Sequence, residues 1–190
     1  MARERYDENW RFRSFLKGYD AEAEEIDATV HEIYREVSAQ IDCTACANCC
    51  KVVSPVLNMA DIQRFSEGLG ISVSKMMAEH IARHKKSDRF RFNKKPCPFL
   101  ESNLCSNYDH RPRDCRSFPH LHKPDFIFRL WNVVDNCEVC PIVFNVYERL
   151  KIVFAFRFWL GYGKTALLLG ITFEKHGAKG WPRLIKFQES

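Results

Sequence analysis

Four thiols fall within eight residues, in the run Cys43-Thr-Ala-Cys46-Ala-Asn-Cys49-Cys50. Sulfur crowded at one point leaves a chain few options. On a helix, at about 100° per residue, the four would share one face roughly 120° wide. In a loop, C-x-x-C is the usual bite for one metal atom or one cluster edge. Either geometry points to a soft metal, because crowded thiols in a reducing compartment are best explained as its ligands.

The distribution strengthens that reading. All nine cysteines lie between positions 43 and 140 of the 190 residues. Cysteines scattered through a core would not respect such limits, whereas a site that gathers ligands would. Met1 to Tyr19 is charged and aromatic and contains no apolar stretch of signal-peptide type. No uninterrupted apolar run reaches the roughly 18 residues of a membrane span. The expectation is a cytoplasmic protein without a transmembrane segment, in which an odd number of cysteines does not form a disulfide framework. The net charge of +5 argues only weakly for an anionic partner such as nucleic acid.

Three segments are expected: a basic and aromatic N-terminal arm over 1–19, a cysteine-cluster metal-binding domain over 20–160, and a C-terminal helix with a basic tail over 161–190. The arm interleaves Arg11 and Arg13 with Trp10, Phe12 and Phe15, and packing of these aromatics on the domain is expected over polyanion binding. A helix is predicted over 20–41, capped by Asp20, with Ile26, Val30, Ile33, Tyr34, Val37 and Ile41 as its apolar stripe. Asn58 caps a second helix that stops at Gly70, and Ser72 caps a third that runs to about His84. His80 and His84 stand one turn apart, a spacing that can hold zinc. Phe90 and Phe92 alternate with arginines as in a short strand, and 125–134 also reads as a strand. Apolar helices are expected over 142–160 and 165–173. The whole is expected to be a small α+β domain, mainly helical, with short strands and an irregular cysteine-rich metal-binding core.

Further candidate ligands follow the first run. Cys97 stands between Pro96 and Pro98, and Cys105 leads into Tyr108, Arg111-Pro112-Arg113, Cys115-Arg116 and Phe118-Pro119. The prolines stiffen the chain at its thiols. Arg111, Arg113 and Arg116 surround Cys115, and positive neighbours favour the thiolate that binds metal. Cys137-Glu-Val-Cys140-Pro141 adds another C-x-x-C. His110, His120 and His122 are lesser candidates, since sulfur is already in excess.

The C-x2-C-x2-C-C run, Cys97-Pro-Phe-Leu, and the register of Tyr108, Arg111-Pro112 and Cys115-Arg116-x-Phe118-Pro119 resemble the YkgJ-type cysteine-cluster family of zinc- or iron-chelating proteins. The resemblance covers about 43–119, and Asn48 stands where that family often has glycine. It implies a metal or iron–sulfur site carried by Cys43, Cys46, Cys49, Cys50, Cys97, Cys105 and Cys115. It implies no particular activity, and no nucleophile with its base can be read from the sequence.

Structural zinc takes four ligands in a closed tetrahedron, and a [4Fe–4S] cluster takes four thiolates. Nine cysteines can fill two such sites with one to spare, or one site with redox or structural thiols left over. The tight first run resembles the tripod of iron–sulfur proteins more than the paired C-x2-C of zinc ribbons. The reading is therefore a cytoplasmic iron–sulfur protein in electron transfer or within a redox or modifying enzyme, whose cluster potential Arg111, Arg113 and Arg116 tune for a redox partner. The alternative is a structural zinc module that serves a protein or nucleic-acid partner.

Overall fold

A computed structural model describes residues 3–83, 88–156, 173–175 and 182–184, the last two stretches as backbone only. In chain order the helices are α1 (Tyr6–Lys17), α2 (Ala23–Ser38), α3 (Cys43–Cys46), α4 (Asn48–Val52), α5 (Met59–Leu69) and α6 (Val73–His80). Strands β1 (Ile81–Arg83), β2 (Phe90–Phe92), β3 (Leu100–Glu101) and β4 (Leu104–Cys105) follow, then α7 (Arg113–Ser117), α8 (Leu130–Cys137), α9 (Pro141–Val153), β5 (Phe173–Lys175) and β6 (Pro182–Leu184). Short 3-10 turns occupy Arg3–Arg5, Tyr108–His110 and Phe126–Phe128. Among the described residues the strands pair as antiparallel couples, β1 with β2, β3 with β4 and β5 with β6. The fold is mainly helical α+β, and among the described residues no helix is long and apolar enough to cross a membrane. The chain divides into two compact units, one of Met1–Gln40 with Leu121–Ser190 and one of Ile41–His120.

The first unit is a helical scaffold. Ile26, Val30, Ile33 and Val37 recur on one face of α2 and are buried, as their helical spacing requires. Phe12, Phe15 and Leu16 of α1 and Ile142, Val146, Tyr147 and Leu150 of α9 are buried as well. Full burial of each such side chain is worth about 1.5–3 kcal/mol. Phe12 meets Tyr147 and Phe156 at ring distances of 5.0 Å each. Lys151 is fully buried, and its ammonium lies 2.5 Å from Glu148 and 3.4 Å from Glu8.

Several expectations change here. Helix α2 starts at Ala23, with Glu22 in the N-cap position and no side-chain cap, so Asp20 does not cap it. Residues 125–134 are not a strand. Both Asp27 carboxylate oxygens accept backbone N–H groups at the start of this stretch, from Asp125 at 2.6 Å and Phe126 at 2.9 Å. They thereby anchor a turn, after which Leu130, Val133, Val134 and Cys137 bury one face of α8. The helix expected over 142–160 runs over Pro141–Val153, with Pro141 in its first turn. The helix expected over 165–173 lies, but for Phe173, outside the described residues, as does most of the C-terminal tail.

The second unit begins with the cysteine run. Ala47 adopts a left-handed conformation at φ 53° and splits the run into α3 and α4, so the four thiols do not ride on one continuous helix. Asp42 caps α3 through the Thr44 N–H at 2.8 Å. Helix α5 begins with a full capping box between Asn58 and Asp61 and ends at Gly70, whose φ of 66° suits glycine. Ser72 caps α6 through the Lys75 N–H. Helix α6 stops at His80, short of the expected end, because Ile81–Arg83 turn away to pair with Phe90–Phe92. His84 lies outside the described residues. Leu57, Ile62, Phe65, Met76, Phe92 and Phe99 form the core. The Phe65, Phe92 and Phe99 rings meet one another edge-on or tilted at 4.7–5.4 Å. The β3–β4 hairpin turns through Ser102 and Asn103, both at positive φ as a tight two-residue turn demands.

Candidate metal centre

Within Ile41–His120 the short elements converge on a cavity of about 70 Å³. Cys49 and Cys50 from α4, Cys97, Cys105 from β4 and Cys115 from α7 all line it, together with Arg111 and an apolar wall that includes Phe65, Phe92 and Phe118. Long-range hydrogen bonds set these pieces against each other. The Cys97 N–H donates to the Cys50 carbonyl at 2.8 Å, which ties the proline-flanked loop to α4. Asp61, already in the cap of α5, also accepts the Arg113 N–H at 2.8 Å and so fixes the start of α7. Asp114 accepts the Val56 N–H at 2.9 Å and stands 3.3 Å from His120.

Gly68 supplies a close approach that no other residue allows. A Cβ there would fall 2.3 Å from the Asn107 side-chain oxygen and 2.4 Å from the His110 ring. The 3-10 turn of Tyr108–His110 therefore lies directly on α5, and Asn107 donates to the Phe65 carbonyl at 2.7 Å from a buried position. That turn delivers Arg111 to the cavity. The Arg111 guanidinium lies 3.4 Å over the Tyr108 ring and donates through Nε to the Tyr108 carbonyl at 2.9 Å. Arg116 in turn donates to the Arg111 carbonyl at 2.8 Å.

The thiols perturb one another. Cys50, hydrogen-bonded by Cys49 and faced by Arg111 and Lys51, is pulled down to about 6 despite partial burial. Burial pushes the Cys97 thiol up to about 11, with Cys50 and Cys105 adding to the rise. Cys115 and Cys105 are raised by burial first and by neighbouring cysteines next. Cys43 is raised by burial and by Cys46, with Arg111 opposing. Each rise has the cause that a bound cation reverses, since a metal stabilises the thiolate that burial disfavours.

The structure thus brings together five of the expected ligands around one cavity. Cys43 is exposed and Cys46 half-buried on α3; neither lines the cavity, though Cys43 is close enough to feel Arg111. Cys137 and Cys140 belong to the other unit and are buried, one at the end of α8 and one at the cap of α9. Burial pushes Cys137 up to about 12, against the pull of Lys151. Of the three arginines only Arg111 lines the cavity; Arg113 is tied through its backbone, and Arg116 spends its guanidinium on a carbonyl. His110 packs on Gly68, His120 pairs with Asp114, and His122 lies beside Tyr34 in the other unit. None of the nine cysteines is joined in a disulfide. Among the described residues no group of three or more His, Cys, Asp or Glu side chains already stands in coordinating positions. Five thiols line the cavity, and their chemistry fits a soft metal.

The family model for the CxxCxxCC domain, described as a "putative zinc- or iron-chelating domain", matches residues 42–141, more than half of the chain. The chain belongs to the CxxCxxCC family. No curated protein and no solved structure matches it. The matched span of the CxxCxxCC domain contains every cysteine of the chain. It covers all of Ile41–His120 but its first residue and crosses into the other unit as far as Pro141. Sequence reasoning missed Asp61 and Gly68, which hold the site from behind, Asn107, whose N–H also bonds the Cys105 thiol, and Asp114, which lines the cavity. Only Asp61 carried a signal, as the third residue after a capping Asn.

Proposed function

We propose that this protein binds an iron–sulfur cluster through thiolates of the cavity in Ile41–His120, and that it serves electron transfer or a redox or modifying reaction. One observation carries the reading: Cys49, Cys50, Cys97, Cys105 and Cys115 line a single cavity of about 70 Å³. That volume is several times the roughly 10–15 Å³ that one water requires, so it suits a group larger than a single ion. A [4Fe–4S] cluster takes four thiolates, which leaves one of the five to spare. The apolar wall lowers the local dielectric, and in this setting the chain's own task is to exclude water and hold the thiolates in place. In this reading Cys43 and Cys46 flank the site, and Cys137 and Cys140 are core thiols of the scaffold unit. A reducing compartment, the cytoplasm, fits thiols kept out of disulfides.

The second reading is a closed zinc site on four of the same thiolates, which the four-ligand count favours equally. Metal and acid-labile sulfide analysis of the full chain, purified without oxygen, separates the two. About four irons and four sulfides per chain are expected. One zinc per chain without sulfide would replace the cluster with the zinc reading.

A further inference from the structure

We infer that Arg111 is the fixed counter-charge of the thiol cavity, a positioning residue that holds an anionic, thiolate-bound metal in place. The inference rests on the reading that these thiols bind metal and holds for iron–sulfur and zinc alike. Four thiolates outweigh the charge of the metal they bind in either case, so the occupied site is negative.

The geometry sets Arg111 apart from the other cations of the region. Among the described residues it is the one Lys or Arg in the lining of the cavity. Its guanidinium cannot swing away easily, because it is stacked on Tyr108 at 3.4 Å and its Nε is bonded to the Tyr108 carbonyl. Its own carbonyl is held by Arg116. The turn that presents it is pressed onto α5 at Gly68. Yet no carboxylate among the described residues makes an ion pair with it. A half-buried cation without a carboxylate partner is costly unless something anionic faces it. Asp114 shares the lining without pairing with it, and the other groups that face it are sulfur: the charge of Arg111 reaches Cys43, Cys50 and Cys105, which arrive on three different elements. The chain thus places a pre-oriented positive charge where charge builds up when metal is bound.

The test uses the full chain with the metal it carries as purified, and follows release of that metal to excess EDTA. Arg111→Gln is expected to release it about tenfold faster, equivalent to about 1.4 kcal/mol. Arg111→Lys, which keeps the charge but loses the planar stack, is expected to stay within about threefold of wild type. Arg113→Gln, whose side chain lies outside the cavity, is expected to match wild type. With an iron–sulfur occupant the midpoint potential of Arg111→Gln falls, because the lost charge favoured the more negative reduced form. Release from Arg111→Gln at the wild-type rate overturns the inference alone. Release from Arg111→Lys as fast as from Arg111→Gln also overturns it, since shape and not charge would then matter. A wild-type protein that holds no metal overturns the metal reading and this inference together. If Arg111→Gln loses its helical circular dichroism, Arg111→Lys decides: release within about threefold supports the counter-charge, and faster release contradicts it.

Discussion

The two units treat the same residue types in opposite ways. In Ile41–His120 five thiols line a cavity, and none of them is fully buried. In the scaffold unit Cys137 and Cys140 are buried among helix contacts. Charge divides likewise. Residues 41–120 hold 13 Lys and Arg against 8 Asp and Glu, whereas the rest of the chain holds 16 of each, so the whole net charge of +5 belongs to the thiol unit. The buried cation of the scaffold, Lys151, is closed off by Glu8 and Glu148. The half-buried cation of the thiol unit, Arg111, makes no ion pair with a carboxylate among the described residues, although Asp114 shares its cavity. A residue type is therefore a ligand or a packing group according to what surrounds it, and a charge left open beside open thiols marks the unit built to take a guest.

The sharpest way to break this contrast is to remove thiols from each side. Cys50→Ser and Cys115→Ser are expected to lose nearly all bound metal, and Cys137→Ala with Cys140→Ala to keep it at wild-type stoichiometry. Metal analysis of the purified variants checks both, and equal losses would erase the distinction between the units. Next in size is Lys151→Met. It leaves Glu8 and Glu148 without their buried partner and is expected to cost about 3 kcal/mol in denaturant unfolding, with metal content intact. Gly68→Ala should strike the other unit. Its methyl would drive into Asn107 and His110, destabilise by about 1–3 kcal/mol, and speed metal release by displacing the turn that carries Arg111. The smallest effect belongs to Asn58→Ala. It removes one half of the α5 capping box and should cost about 1 kcal/mol with little change in metal binding, a baseline against which the Gly68 variant is judged.

How much of this was legible in the sequence depends on how far each signal reaches along the chain. Local chemistry was readable: the caps at Asn58 and Ser72, the stop at Gly70, the stripe of α2 and the Phe90–Phe92 strand all rest on neighbours within a few positions. The spacing of thiols also named the candidate site. What failed was set from a distance. The run Phe-Ile-Phe-Arg-Leu-Trp-Asn-Val-Val is rich in strand formers, and it becomes a turn and a helix because Asp27, far back on α2, holds its start. The division of the thiols between two units could not be seen either, since the chain leaves the scaffold at Gln40 and returns at Leu121 without a linker-like composition. Arg111 could not be told from Arg113 and Arg116 because the difference lies in side-chain direction, which the Arg-Pro-Arg spacing does not fix.

The central claim is that thiolates of the cavity hold the metal. Metal-edge X-ray absorption on the anaerobically purified full chain tests it most directly. A first shell of about four sulfur atoms at about 2.3 Å is the expected result, with iron–iron scattering beyond it if the occupant is a cluster. A first shell of nitrogen and oxygen only would contradict the account.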